Sequence, residues 1–140
     1  MNMQTQLPEP GFWLTFRALV VFCLLDLGFK ARGFERMQAR LLRRAPRRAD
    51  WPREAAVEQA HRTYRAVQKA TRFYFRRQKD CLPKALTAFH LLRRQGIPAE
   101  LCYGVKKFPF AAHSWVETHG EILDDRPARI PQYTLIHQVS

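Results

Sequence analysis

The spacing of apolar residues changes character near residue 80 of the chain. Up to that point, apolar residues recur every three or four positions in three stretches, which is the periodicity of amphipathic helices. The three predicted helices cover residues 11–30, 32–44 and 53 to about 75. The pattern therefore predicts an all-helical first half, residues 1–79.

Residues 80–140 combine one more helical stretch with runs that are typical of strands. The helix begins at Asp80 or Cys81 and ends at Gly96, which suits a left-handed C-terminal cap, with Pro98 behind it. Alternating patterns then predict strands over residues 99–105, 111–118 and 121–125. Helices followed by a short antiparallel sheet give an α+β fold class.

The first predicted helix is the most apolar part of the chain. Its densest run, Ala18–Leu25, is eight residues long, and spanning a bilayer takes roughly 20. Residues 1–16 contain no Lys or Arg, so the charged start of a signal peptide is missing. We therefore expect no transmembrane segment and a mostly buried helix, with contact to a membrane surface as the alternative.

The length of the chain and its cysteine content indicate the number of domains and the cellular compartment. A chain of 140 residues fits one domain, which we expect to cover residues 1–140. The cysteines Cys23, Cys81 and Cys102 form an odd set without close pairs, which argues against a disulfide framework. A reducing, cytoplasmic location is therefore expected.

Positive charge is concentrated in the middle of the chain. The formal net charge is +12, and residues 30–79 hold 16 Lys or Arg against 4 Asp or Glu. This block accounts for the whole excess, so it suits an acidic partner: nucleic acid, anionic lipid, or an acidic peptide or protein. A solvated helix face is the alternative interpretation.

Cys81 and His113 are the residues that suggest chemistry. Cys81 stands at the start of a predicted helix, where free amides and the helix dipole favour a thiolate. A thiolate is the nucleophile of cysteine-dependent acyl transfer, and the oxyanion would fall near the Cys81 amide. His113 lies inside a predicted strand and could serve as the base.

The register of the predicted hairpin selects an aspartate for His113. A three-residue loop, residues 118–120 with Gly120 left-handed, would put His113 directly opposite Asp125. A two-residue loop would instead put His113 opposite Arg126. Glycine at the third loop position favours the first register, in which Asp125 orients the imidazole.

A metal site is not expected. A zinc site built from Cys81, His90, Cys102 and His113 would lack the short paired spacings of such sites.

Four segments and two further residues around these positions carry a family pattern. They are Cys81-Leu82-Pro83-Lys84-Ala85-Leu86, residues 91–99 (LLRRQGIPA), Tyr103-Gly104-Val105, residues 109–117 (PFAAHSWVE), Gly120 and Asp125. With them the chain resembles the transglutaminase-like leader peptidases of lasso-peptide biosynthesis, most strongly over residues 80–126. Its size is similar to the stand-alone peptidase of the split arrangement, in which leader recognition belongs to a separate small protein.

This resemblance implies a transglutaminase-like or papain-like catalytic core over residues 80–140. It implies a triad of Cys81, His113 and Asp125, with Asp124 as the alternative aspartate, and neither a metal nor a cofactor. The implied reaction is hydrolysis of one peptide bond, which frees the core of a ribosomally made precursor from its leader. A separate ATP-dependent cyclase then closes the ring, and the basic part, residues 1–79, could dock the leader, the recognition protein or the cyclase.

Three other functions remain open at this stage. A nucleic-acid-binding module would explain the sequence pI of about 10.5, but no recognised binding motif is present and the Cys-His-Asp order would be unexplained. Nucleic acid is therefore not the expected partner. The same fold could instead transfer the acyl group to an amine, or could be a catalytically inactive scaffold.

Overall fold

The first half of the chain is helical, as its periodicity predicts. A computed structural model of the chain describes residues 9–43, 49–72 and 81–140. Its helices are α1 (Phe12–Arg32), α2 (Phe34–Arg43), α3 (Arg53–Arg72) and α4 (Cys81–Gln95). The predicted end of the third helix near residue 75 and the alternative start of the fourth at Asp80 lie outside the described residues.

The second half contains an antiparallel sheet, which confirms the α+β class. The strands are β1 (Glu100–Lys106), β2 (Ala111–Thr118), β3 (Glu121–Leu123) and β4 (Thr134–Val139). They lie in the order β3-β2-β1-β4, and a 3₁₀ segment, Pro127–Gln132, precedes β4. The sequence did not predict β4, because nearly all of its side chains are exposed and no apolar–polar alternation marks it.

The core lies between the helices and one face of the sheet. Helix α1 packs on α3 and α4, and α4 packs on β2. The strands contribute Leu101, Val116 and Leu123 to this core, where they meet Leu86 and Phe89 of α4. The opposite face of the sheet carries a smaller cluster. That cluster contains Cys102, Trp115 and Ile130.

Helix α4 ends as predicted, which directs the chain into β1. Gly96 adopts a positive φ of 80°. The Gly96 amide donates to the Arg93 carbonyl (3.2 Å) and the Ile97 amide to the Leu92 carbonyl (3.0 Å). These two bonds form the Schellman arrangement that satisfies the last carbonyls of a helix.

The β2–β3 hairpin differs from the predicted register by one residue. Thr118 pairs with Glu121, and Val116 pairs with Leu123, so the loop is the two-residue turn His119-Gly120. Both loop residues have positive φ, 49° and 82°, as a type I′ turn requires. His119 takes the left-handed conformation that the prediction reserved for Gly120 alone, and the three-residue loop is therefore wrong.

Helix α1 is apolar on two opposite faces, so it is not mostly buried as predicted. Ala18, Phe22 and Leu25 are buried in the core. A second set of side chains on the other face is between 40% and 78% exposed, and we call it the outer stripe. It consists of Phe12, Trp13, Phe16, Val20, Leu24 and Leu27. With 21 residues, α1 is long and apolar enough to cross a membrane, although core helices of soluble proteins meet the same length and hydropathy criteria. The eight-residue run Ala18–Leu25 therefore underestimated the length of the apolar segment.

Gly104 of β1 makes room for the aromatic cluster beside the sheet. A Cβ at this position would lie 2.7 Å from a ring carbon of Trp115 and 3.0 Å from the Cβ of Tyr133. An added methyl group would clash with the Trp115 ring, and neither the strand backbone nor the packed indole has room to move away. We therefore expect Gly104→Ala to lower the free energy of unfolding by about 1–3 kcal/mol. Denaturant unfolding measures this, and Gly11→Ala is the control, since nothing lies within 4 Å of a Cβ there. Equal stabilities of the two variants would contradict the tight packing.

Candidate active site

Cys81 is the first residue of α4 and has a free thiol. Burial raises the pKa of this thiol, but its hydrogen bonds act in the opposite direction and prevail. They come from the His113 side chain and from the backbone amides of Ser114 and of Cys81 itself. The pKa of Cys81 therefore lies below its usual value, as expected for a cysteine at a helix N-terminus.

The amide of Ser114 can reach the sulfur because β3 is short. In the observed register, Thr118 and Val116 direct their backbone groups toward β3, and Ser114 is the next residue to do so. Strand β3 ends at Leu123, so its ladder does not extend to Ser114. The N-terminus of α4 approaches β2 at this point, so the Cys81 sulfur accepts the hydrogen bond that the Ser114 amide would otherwise donate to a neighbouring strand.

His113 connects Cys81 to an aspartate. Its Nε2 lies 2.7 Å from Oδ1 of Asp124, which leaves Nδ1 for the thiol. The hydrogen bond with Asp124 is the largest effect on the imidazole and the bond with Cys81 the next; together they outweigh burial and raise the pKa of His113 to about 9. The ring is stacked on Trp115, with centroids 6.2 Å apart, and lies tilted against Tyr133 at 5.5 Å, so its orientation is fixed by packing as well.

Asp124 is itself held in place. Its side chain is 9% exposed, and its second oxygen, Oδ2, accepts a 3.0 Å hydrogen bond from the amide of Arg126. A carboxylate that is fixed on one side by the backbone can present its other oxygen to a histidine in a single orientation. Cys81, His113 and Asp124 thus form a continuous hydrogen-bonded chain.

Asp125 does not contact His113 as the predicted register required. Its Oδ1 accepts hydrogen bonds from the Tyr64 hydroxyl (3.0 Å) and from Nε2 of Gln68 (2.9 Å). Its Oδ2 pairs with the ammonium group of Lys84. Burial opposes ionisation of Asp125, but these partners prevail and hold its pKa below the usual value. The assignment of Asp125 as the residue that orients His113 is corrected to Asp124.

The register explains this exchange of neighbouring aspartates. Positions 122 and 124 share the sheet face of His113 and Trp115, whereas 123 and 125 share the face that packs on the helices. A one-residue slip moves a whole strand to the other face. Asp125 therefore meets α3 and α4, and Asp124 meets the imidazole.

The cluster around Asp125 joins the site to two helices. Tyr64 and Gln68 are one turn apart on α3, and Lys84 is one turn after Cys81 on α4. Burial, and then the charges of Asp125 and Asp124, raise the pKa of Tyr64 far above its usual value, so its hydroxyl stays a donor. Asp125 thereby fixes the segment that carries Asp124 to the helix that carries Cys81.

The remaining cysteines and histidines do not assemble a second site in the part of the chain that the structure describes. No group of three or more His, Cys, Asp or Glu side chains there could hold a metal ion. Cys102 is buried beside Trp115, and burial, with smaller contributions from Glu117 and Glu100, raises the pKa of its thiol to about 12. Cys102 is therefore unreactive near neutral pH.

Besides Tyr64 and Gln68, sequence reasoning missed three contributors to this site. Lys84 could have been found, because it follows Cys81 by three residues and so lies on the same side of a helix. Tyr133 could not, since it enters through the unpredicted segment before β4. The Ser114 amide depends on where β3 ends, which residue types alone do not reveal.

A family model agrees with this arrangement. The model described as "Transglutaminase-like superfamily" matches residues 21–138. The chain belongs to the transglutaminase-like superfamily. The matched range includes Cys81, His113 and Asp124, and it confirms the family predicted from the segments around Cys81 and His113.

The chain is also similar to a protein whose name describes a processing role. The chain is 32% identical over 62 residues to "Microcin J25-processing protein McjB" of Escherichia coli. The alignment covers 44% of this chain and 30% of McjB, so the chain spans less than a third of that relative's length. No solved structure matches the chain.

Proposed function

We propose that this protein is a cysteine peptidase that removes the leader from a ribosomally made lasso precursor peptide. The observation that carries the proposal is the hydrogen-bonded chain Cys81–His113–Asp124, which begins at a helix N-terminus. Membership in the transglutaminase-like superfamily and the similarity to McjB support it. A separate leader-recognition protein and the cyclase are the proposed partners, and the cytoplasm is the proposed location.

The site residues would divide the reaction into two steps. The Cys81 thiolate attacks the carbonyl carbon of the leader's last residue, and His113, as imidazolium, gives its proton to the departing amine of the core peptide. His113 then takes a proton from water, and the resulting hydroxide attacks the thioester. The bond between the acyl carbon and the Cys81 sulfur breaks, which restores the thiolate–imidazolium pair, and the leader leaves with a free carboxylate. The oxyanion of each step would lie near the Cys81 amide, at the positive end of α4. Asp124 would keep Nε2 protonated and stabilise the imidazolium throughout.

The test is incubation of a cognate precursor with the chain and its recognition protein, followed by mass spectrometry. We expect a single cut at the leader–core junction that adds one water across the products. The variant Cys81→Ala should produce no cut, whereas Cys23→Ala, at a cysteine of α1, should cut like the wild type. Adding an amine acceptor distinguishes transfer, which would leave that amine on the leader, from hydrolysis.

Two results would contradict the proposal. A cut that persists in Cys81→Ala would exclude Cys81 as the nucleophile. An intact precursor, although binding to the wild-type chain and recognition protein is demonstrated, would favour the inactive scaffold.

A further inference from the structure

The outer stripe of α1 is a continuous apolar surface on the outside of the molecule. From Phe12 to Leu27 it follows the helix for 15 steps of rise, about 22 Å. Its members recur every three or four residues, and they lie opposite Ala18, Phe22 and Leu25, which face the core. The stripe therefore has no counterpart in the described residues, because the packed face of the same helix already meets α3 and α4.

The apolar area that the stripe exposes is larger than the largest apolar patch on a typical monomeric protein. Each member of the stripe leaves at least two fifths of its surface exposed, and Phe12 and Trp13 leave about three quarters. Together these side chains expose on the order of 700 Å², whereas the largest apolar patch on a typical monomer is roughly 300–600 Å². A patch of this size marks an interaction surface.

Basic residues of α2 lie beside the C-terminal end of the stripe. Met37 of α2 packs onto Gly28 of α1, where an added Cβ would come within 2.5–2.7 Å of its Cε and sulfur. This close approach creates a groove of about 400 Å³, lined by Leu24 and Leu27 together with Arg32 and Arg40. An apolar floor with a guanidinium rim is complementary to an acyl chain that ends in an anionic headgroup.

The exposed charge on α1 and α2 has one dominant sign. The two helices carry six exposed basic side chains, of which Arg32 and Arg40 line the groove beside the stripe: Arg17, Lys30, Arg32, Arg36, Arg40 and Arg43. Of the acidic residues of α1 and α2, Asp26 is paired with Lys30 at 3.0 Å, and Glu35 lies in the first turn of α2. The combination of an apolar stripe with basic side chains on the same two helices, two of them in the adjoining groove, favours an anionic, apolar occupant.

The geometry selects a surface-bound rather than a membrane-spanning arrangement. A spanning α1 would have to leave the core, because Phe22 and Leu25 on its other face are buried. A helix lying in the plane of the interface uses the outer stripe alone. Trp13, with Phe12 and Phe16 around it at ring-centroid distances of 5.6 and 6.4 Å, is the kind of aromatic group that settles at headgroup level.

We propose that the outer stripe, together with the arginines of α2, docks this protein on an anionic lipid bilayer. The helix α1 would lie along the interface with its stripe in the acyl region. Arg36, Arg40 and Arg43 would contact the headgroups. This proposal does not depend on the peptidase function.

Vesicle flotation with the full chain tests the proposal. The vesicles are phosphatidylcholine alone, or phosphatidylcholine with about a quarter phosphatidylglycerol. We expect the wild type to bind the anionic vesicles at least about 25-fold more tightly than the neutral ones, and less tightly as salt is raised. Removing two arginines, in Arg36→Gln/Arg40→Gln, should weaken binding about 25-fold, since each contributes about fivefold near an anionic surface.

The apolar contribution is tested by a triple variant of the stripe. Trp13→Ser/Phe16→Ser/Leu24→Ser should weaken binding to anionic vesicles by more than about 100-fold, because each side chain would lose its burial in the bilayer. Leu135→Ser/Ile136→Ser is the matched control, since these two residues of β4 are also large, apolar and exposed. Brominated lipids should quench the wild type's fluorescence more than that of Trp13→Phe, which keeps Trp51 and Trp115.

Several results would overturn the proposal. One is absence of vesicle binding by the wild type at low salt, and another is equal binding by the triple variant and the β4 control. A dimeric wild type that the triple variant converts to a monomer, without a change in vesicle binding, would identify a second copy as the occupant. If the triple variant lost binding to the recognition protein while its vesicle binding stayed unchanged, the occupant of the stripe would be a protein partner. Unchanged circular dichroism and unchanged alkylation of Cys81 in the triple variant show that fold and site are intact.

Discussion

Replacing Asp124 by asparagine is expected to slow the proposed leader cleavage on the order of 10⁴-fold, as the loss of the orienting carboxylate does in the Ser-His-Asp triad. The carboxylate accepts the Nε2 proton of His113 at 2.7 Å, and an amide there can present its NH₂ group instead of an acceptor. The imidazole would then lose both its tautomer preference and the charge that stabilises it. Steady-state cleavage of the precursor measures the effect as kcat/KM.

Asp125→Asn is the matched control for this prediction. Asp125 adjoins Asp124 and has the same chemistry, but its partners are Tyr64, Gln68 and Lys84. We expect a loss of about tenfold or less, because the substitution loosens the segment without removing the acceptor of His113. A larger loss in Asp125→Asn than in Asp124→Asn would return the orienting role to Asp125.

The pH profile separates orientation from a general loss of structure. The hydrogen bond with Asp124 is the largest cause that raises the pKa of His113 to about 9. The imidazolium that protonates the leaving amine therefore persists up to about pH 9 and is lost above it. In Asp124→Asn the alkaline limb of kcat/KM should move to lower pH, whereas in Asp125→Asn it should stay near 9. A merely less stable enzyme would show a lower profile with an unmoved limb.

The two aspartates also mark the limit of what the sequence could establish. The strand and hairpin patterns were sufficient to predict that His113 stands on β2 and that an aspartate faces it, although Asp125 was expected at the end of the next strand and the strand in fact ends at Leu123. It could not distinguish Asp124 from Asp125, because that choice depends on whether the loop has two residues or three. His-Gly fits a two-residue turn when the histidine accepts a positive φ, as His119 does. That single backbone conformation decides which carboxylate faces the imidazole.

Local signals carried the rest of the successful prediction. The placement of Cys81 at a helix start and of Gly96 at its end depends on residues within one turn, so sequence patterns report both. Tyr133 and the Ser114 amide depend instead on contacts across the sheet, and no local pattern encodes them. Helix α1 shows a different limit. Its apolar residues are spread around the whole helix, so its composition predicted that the helix is mostly buried. In the structure, α3 and α4 pack on one face only, which leaves the outer stripe exposed.

His113→Ala is expected to slow the alkylation of Cys81 at pH 6.5 by about 10–100-fold. The hydrogen bond and charge of His113 help to hold the pKa of Cys81 below its usual value. Without the imidazole that pKa should return toward, or above, the value of about 8.5 of a free cysteine, so about 1% or less would be thiolate at this pH. The higher intrinsic nucleophilicity of a more basic thiolate recovers part of the loss, which sets the lower end of the range.

The measurement is best made with iodoacetamide in a Cys23→Ala background. Cys23 is partly accessible and would also react, so it is removed; Cys102 is fully buried and its pKa is about 12. The measured alkylation rate is then that of Cys81. The wild-type rate should stay high down to the lowered pKa of Cys81 and fall only below it, since the thiolate is the reactive form above that pKa. The rate of His113→Ala should instead rise with pH until it approaches the wild type near pH 9. Identical profiles for the two proteins would mean that no thiolate–imidazolium pair forms, and the mechanism proposed for this site would fail even if the fold and the substrate were right.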